Sequence, residues 1–133
     1  GMRWREERAR GLLPLVSHCL QNGRLLGGIC EAASFLGAAG ALDAVKHTGN
    51  SRSDMEQWKD SKYQGADNYR ARQAVCDNNI VTANGYGTLE FAREVLFALD
   101  AADRTLIEDW YNLHKLGYYN ASRHNHFVRD DGE

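Results

Sequence analysis

Proline is nearly absent, and the one present, Pro14, fixes where a helix can start. It fits poorly inside a helix, so the apolar spacing of Leu12, Leu13, Val16, Cys19 and Leu20 within residues 5–22 predicts regular helix from about residue 12. Proline then falls in the first turn, and Asn22-Gly23 stops the helix. Cysteine is scarce and odd in number: Cys19, Cys30 and Cys76 show no C-x-x-C spacing, which argues against a disulfide framework or a zinc site and for reduced thiols. Neither sign of charge dominates, with 16 basic residues against 18 acidic and five histidines. That balance gives no electrostatic case for a nucleic-acid partner or an anionic membrane surface. Long apolar runs are also missing. None approaches the roughly 20 residues that cross a bilayer, and residues 2–7, Met-Arg-Trp-Arg-Glu-Glu, lack the apolar core of a signal peptide. A cytoplasmic location is the expectation.

What is present is a change of period around one thiol. Leu25, Leu26 and Ile29 mark a buried strand over 24–29, in which Gly27 and Gly28 let other elements approach closely. Ala32, Ala33, Phe35, Leu36, Ala38 and Ala39 then read as a helix over 31–39, buried on most sides and closed by Gly40. Cys30 sits at the junction, as in a strand-turn-helix nucleophile elbow, facing free N–H groups and the positive end of the helix dipole. The competing reading of such a cysteine is a residue that only packs.

The length and the 43% hydrophobic content fit one core. Residues 44–49 predict a short strand, and Ser53 or Asp54 caps a brief helix through Trp58 ahead of a polar loop to residue 70. Residues 73–85 read as two short strands joined by a turn at Asp77-Asn78-Asn79. Thr88 caps a helix over 88–99, with Leu89, Ala92, Val95, Leu96 and Leu99 on its apolar stripe and Glu90, Arg93 and Glu94 on the other face. Asp103 starts a last helix that Gly117 stops. Residues 118–133 form a polar tail, fraying or docked, whose His124-Asn125-His126 superficially resembles a metal or nuclease motif but lacks supporting ligands. Alternating helices and strands with short connections indicate an α/β layered domain with a mainly parallel sheet.

Three motifs in order resemble one family. Gly28-Ile29-Cys30-Glu31-Ala32 with Leu36-Gly37-Ala38-Ala39-Gly40-Ala41-Leu42-Asp43 is similar to the elbow and helix of the DJ-one/PfpI superfamily, relatives of class I glutamine amidotransferases. Lys46-His47-Thr48-Gly49-Asn50-Ser51 resembles the strand after the elbow helix, and Ile80-Val81-Thr82-Ala83-Asn84-Gly85 resembles the family's "nliTA-x-G" signature. Residues 88–96 match the helix that follows. The similarity covers about residues 1–117. It implies a flavodoxin-like (Rossmann-like) sandwich with helices on both faces of the sheet, incomplete at its N-terminal side. Gly1-Met2-Arg3-Trp4 resembles what remains of a "PGG-x-x-W"-like turn, so the opening strands and helices are expected to be absent. The sequence is then the carboxyl-terminal portion of a longer or cleaved polypeptide; the alternative is a tag scar at Gly1 before a shortened product. Unpaired edges left in this way would be covered by a missing segment or another subunit.

The resemblance implies Cys30 as nucleophile toward an amide or reactive carbonyl, in the manner of an amidase, peptidase, glyoxalase or deglycase. The backbone N–H groups of Glu31 and Gly1 would hold the oxyanion. Many members place an early glutamate against the cysteine, and the peptidase-like branch has histidine directly after it. Glu31 stands there instead, where its charge opposes a thiolate. Another branch uses a histidine that aligns near Asn50, which leaves His47, or a glutamate from the absent part, as the candidate for moving protons; the alternative for His47 is a surface residue at a strand end. Cys30, His47 and Glu31 are thus the candidate catalytic residues. Glutamine amidotransfer lacks a downstream His-x-Glu pair. No cofactor or metal is implied; a small-molecule or peptide substrate and a homodimer are. The competing classes are a redox or stress sensor in which Cys30 is oxidised, and an inactive structural homologue. Cys19 and Cys76 read as structural, and Trp58, Tyr63 and Tyr69 as pocket-lining or packing residues.

Overall fold

The computed structural model describes residues 1–121 and 125–127. Two 3-10 segments, Met2–Arg5 and Glu7–Leu12, lead into helix α1 (Leu13–Gln21), which carries Pro14 in its first turn. Strand β1 (Leu26–Ile29) runs through Cys30 into α2 (Glu31–Ala38), which gives the expected strand, sharp turn and helix. A short α3 (Arg52–Glu56), strands β2 (Ala74–Asp77) and β3 (Ile80–Ala83), and helices α4 (Thr88–Ala98) and α5 (Arg104–Leu116) complete the order.

The sheet has the order β1-β3-β2, with β1 parallel and β2 antiparallel to β3. Within this chain it is therefore mixed rather than mainly parallel. The cause is local: Asn78 and Asn79 both take positive φ, 47° and 58°, as a two-residue hairpin turn requires, and so short a turn can only join antiparallel strands. Backbone N–H groups of Leu26 and Cys30 point to β3, so those of Gly27 and Ile29 face the open edge of β1. The two glycines of β1 serve its two faces. A Cβ on Gly27 would meet Phe91 of α4, and one on Gly28 would lie 2.8 Å from Leu36 Cδ1 of α2. Successive strand residues face opposite ways, so α2 and α4 pack on opposite sides of the sheet.

Between the sheet and α2 and α3 lies a core that includes Ala33, Phe35, Leu36, Leu42, Met55 and Ile80. Leu42 and Met55 are fully buried, and each side chain contributes about 1.5–3 kcal/mol relative to exposure. Four leucines toward α1, Leu12, Leu13, Leu15 and Leu20, remain exposed.

Other sequence expectations change as well. Residues 44–49 form no strand but a single parallel bridge from His47 to Tyr69. The ladder cannot propagate because Thr48 turns to other partners, its N–H donating to Thr82 Oγ1 and its hydroxyl to the Arg72 carbonyl. Ser51, not Ser53 or Asp54, caps α3 by accepting the Asp54 N–H. Gly87 rather than Thr88 precedes α4, without a side-chain cap. Glu90 lies buried against α5, where Lys115 Nζ (2.7 Å) and Tyr111 Oη (2.9 Å) both donate to it. Its desolvation alone would raise the carboxyl pKa, yet these bonds together hold it below the ordinary value. In the tail, Asn125 and His126 dock on Asp109 of α5, while His124 lies outside the described residues.

His47 is a core residue, not a surface residue at a strand end. It is fully buried, and its Nδ1 lies 2.7 Å from the Val45 carbonyl, which can only accept, so Nδ1 carries the proton. Nε2 then accepts from the Tyr63 hydroxyl at 2.8 Å. Burial lowers the pKa of His47 and pushes that of Tyr63 up to about 12, which keeps both neutral. Tyr69 donates to the Gly49 carbonyl and stacks edge-on to His47. Tyr63 and Tyr69 therefore pack the loop, as does Trp58 against the core.

Two measurements follow from this packing. Gly28→Ala is expected to lower stability by about 1–3 kcal/mol in urea unfolding, because its methyl group meets Leu36 and the α2 backbone together. The lowered pKa of His47 means that the unfolded chain binds the extra proton. Its contribution is thus present above pH about 6.5 and lost as pH falls below that. Unfolding free energies between pH 7.5 and 5 should decline accordingly, with a shallower decline in His47→Gln.

Candidate active site

Cys30 has φ 60° and ψ −129°, a backbone conformation that side-chain-bearing residues rarely adopt. Three bonds hold it there. Its N–H donates to the Ala83 carbonyl (2.9 Å) as the last rung between β1 and β3, and its own carbonyl accepts from Ala33 (3.0 Å) and Ser34 (3.3 Å) to start α2. No described hydrogen bond uses the N–H of Glu31 or of Ala32. The first turn of α2 thus keeps unbonded donors beside a half-buried thiol.

Two loops close over the sulfur. Asn50 Nδ2 donates to Cys30 Sγ at 3.4 Å, while Asn50 Oδ1 accepts the Gly85 N–H at 2.9 Å. A Cβ on Gly85 would lie 3.2 Å from Sγ, so a side chain there would crowd the thiol. Asn84 is fixed by Gln73 Oε1, to which its Nδ2 donates at 2.6 Å. Next to the carboxyl end of β3 opens a cleft of about 430 Å³, lined by Thr48, Gly49, Asn50, Arg72, Gln73 and Asn84 among others but not by Cys30 itself. Ligands of open α/β sheets bind at this end of the strands.

The charge next to the thiol is neutralised. Arg5 grips Glu31 with two bonds, Nε to Oε2 at 2.8 Å and Nη2 to Oε1 at 3.2 Å, and Nη2 also donates to Asp54 Oδ1 at 2.5 Å. Ser34 Oγ donates to the other Asp54 oxygen, and the Arg5 guanidinium lies 4.3 Å over the Trp58 ring. The bonds to Glu31, more than those to Asp54, raise the pKa of Arg5 further. The repulsion expected from Glu31 is therefore offset by a fixed positive partner.

The expected residues separate. Cys30 and Glu31 sit at the turn, with the Glu31 carboxylate committed to Arg5. His47 does not serve the thiol, since both ring nitrogens are engaged by Val45 and Tyr63; Asn50 is the side chain bonded to sulfur. Gly1 is exposed, and no described hydrogen bond joins it to Cys30. Cys19 is half-buried on α1 and Cys76 lies on β2, exposed as a residue while its sulfur is partly desolvated by its neighbours; that desolvation, then Glu94 and Asp77, pushes the Cys76 thiol up. The sequence signals Asn50 only as the place where a relative's histidine aligns. No sequence signal pairs Arg5 with residues 26 and 49 positions away.

The family model described as DJ-1/PfpI family matches residues 1–98. Over 115 residues the chain is 36% identical to the "Uncharacterized protease YoaZ" of Bacillus subtilis (strain 168), which covers 86% of this chain and 54% of that protein. It is 35% identical over 109 residues to the "Uncharacterized protease YdeA" of the same strain, covering 81% and 54%. Among solved structures, a thiJ/pfpI family protein from Bacillus anthracis matches with TM-score 0.80 at 36% identity, over 86% of this chain and 54% of that one. The DJ-1 superfamily protein Atu0886 from Agrobacterium tumefaciens matches with TM-score 0.73 at 34% identity, over 86% and 62%. The chain spans about half the length of these curated relatives. With the strand-turn-helix at Cys30, the α/β layering and a family match over most of its length, the chain belongs to the DJ-1/PfpI family.

Proposed function

We propose that Cys30 is a nucleophile toward the electrophilic carbon of an amide or reactive carbonyl in a small molecule or peptide. The observation that carries this reading is the thiol's position: a half-exposed sulfur on a positive-φ turn, beside the unbonded N–H of Glu31 and under the Asn50 amide. Sγ attacks the carbonyl carbon, the carbonyl π pair moves to oxygen, and the Glu31 N–H donates to that oxygen. With the thiol's proton passed to the amide nitrogen, collapse of the adduct expels the amine and leaves a thioester that water hydrolyses to acid and thiol, while a reactive aldehyde or ketone takes that proton on oxygen to give a hemithioacetal or hemithioketal. Asn50 orients the sulfur and stabilises its negative form as a donor; it cannot accept the proton. The acceptor comes, in this reading, from the further length that the relatives have and this chain does not span. Two relatives named as proteases support the amide class.

The same donors favour a second reading, in which peroxide oxidises the thiolate to a sulfenate that Asn50 and the Glu31 N–H hold. Here sulfur attacks one peroxide oxygen and hydroxide leaves, with no turnover of carbonyl substrates.

Site-resolved mass spectrometry after brief iodoacetamide treatment tests the nucleophile. Cys30 is expected to label at least about tenfold faster than Cys19 or Cys76, and Asn50→Ala to slow it severalfold. Equal labelling of the three thiols would contradict the assignment. Release of amine from peptide amides, or loss of a dicarbonyl, that vanishes in Cys30→Ser supports the first reading; selective peroxide oxidation without either supports the second.

A further inference from the structure

Some cations of this chain have no carboxylate partner among the described residues; Arg3, Arg24, Lys59, Lys62 and Arg104 lie apart, while three others share one cleft. Arg5, Arg8, Arg10, Arg52, Arg93 and Lys115 each pair with a carboxylate. Lys46, Arg70 and Arg72 pair with none among the described residues: Arg70 donates only to the carbonyls of Asp67 and Tyr69, and no described bond uses the side chains of Lys46 or Arg72. All three line one cleft of about 340 Å³ with Cys76 and Glu94. Arg72 also lines the 430 Å³ cleft that contains Asn50, the residue bonded to the thiol. Arg72 is thus common to the linings of both clefts, and its carbonyl accepts from Thr48 and Asn84 on the side of the larger one.

The acids nearby do not cancel this charge. Glu94 is held by Arg93 at 3.2 Å, and Asp77 accepts the backbone N–H of Lys46. Three cations against one acid thus line a concave surface on a chain whose overall net charge is −2. A cleft concentrates such a field, and an unpaired guanidinium offers a two-pronged donor matched to carboxylate or phosphate oxygens.

We propose that this trough binds the anionic oxyacid group, carboxylate or phosphate, of an extended substrate whose electrophilic carbon lies at Cys30, with Arg72 as the specificity-determining residue. The assignment rests on the proposed nucleophile. Lys46 and Arg70 supply the charge farther along the trough, while Asn50, Gln73 and Asn84 give the nearer cleft neutral hydrogen-bonding groups.

Two reagents that present the same electrophilic carbon, anionic iodoacetate and neutral iodoacetamide, test it at low ionic strength. The ratio of their rates at Cys30 is expected to fall about threefold or more in Arg72→Gln. Glutarate or inorganic phosphate should slow iodoacetamide at Cys30 in the wild-type chain far more than neutral glutaramide does, and lose that effect in Arg72→Gln. Whichever protects at lower concentration distinguishes a carboxylate from a phosphate ligand. The trough is also read without the thiol, as an upward shift of the melting temperature by glutarate or phosphate in wild type and not in Arg72→Gln. An inert Cys30 with that shift intact would overturn the nucleophile and leave the anion site standing. An unchanged rate ratio together with no Arg72-dependent shift would overturn the trough.

Discussion

The site depends on one backbone conformation. Cys30 occupies φ 60°, ψ −129°, a region glycine tolerates and other residues reach only when their surroundings dictate it. Here the last rung of the β1-β3 ladder pulls from one side, and the first turn of α2 pulls from the other. Neither could act without the glycines of β1, which let Leu36 and Phe91 close on the strand and fix the helices against it. The outcome is a sulfur at the carboxyl end of a strand next to the free amide donors at the start of a helix.

Electrostatics around that turn is settled pairwise. Glu31 would burden the thiol with a like charge, but Arg5 reaches from the N-terminal 3-10 segment to hold it together with Asp54. Exposed ion pairs contribute little to stability, so the consequence of this one lies in the field at the sulfur rather than in the fold. Lys46, Arg70 and Arg72, which line a second cleft, are left without a carboxylate among the described residues. Asn50 bonds both the sulfur and the Gly85 backbone.

The elbow was legible in the sequence because its signal is periodic: apolar strand residues give way to alanines at helical spacing, with a cysteine at the break. The Asn78-Asn79 turn was legible for a similar reason, since two residues of positive φ demand asparagine or glycine. Features fixed by tertiary partners were not. Residues 44–49 have strand composition, but Thr48 spends its hydrogen bonds on Thr82 and Arg72. Glu90 has the polarity of a solvent-facing residue, and only Lys115 and Tyr111, more than 20 positions away, make its burial tolerable. The chemistry of a histidine suggested proton transfer at His47, yet Val45 and Tyr63 consume both of its nitrogens. The family resemblance located Asn50 by alignment, but its role needed the geometry.

If the turn at Cys30 is held in a costly conformation for the sake of its thiol, removing the side chain there should relax the fold. Urea unfolding of Cys30→Gly against Cys30→Ala measures this directly, since both lose the sulfur and only glycine accepts the positive φ without strain. The account predicts that the glycine variant is more stable than the alanine variant by on the order of 1 kcal/mol or more. A glycine variant equal to or weaker than the alanine variant would contradict it.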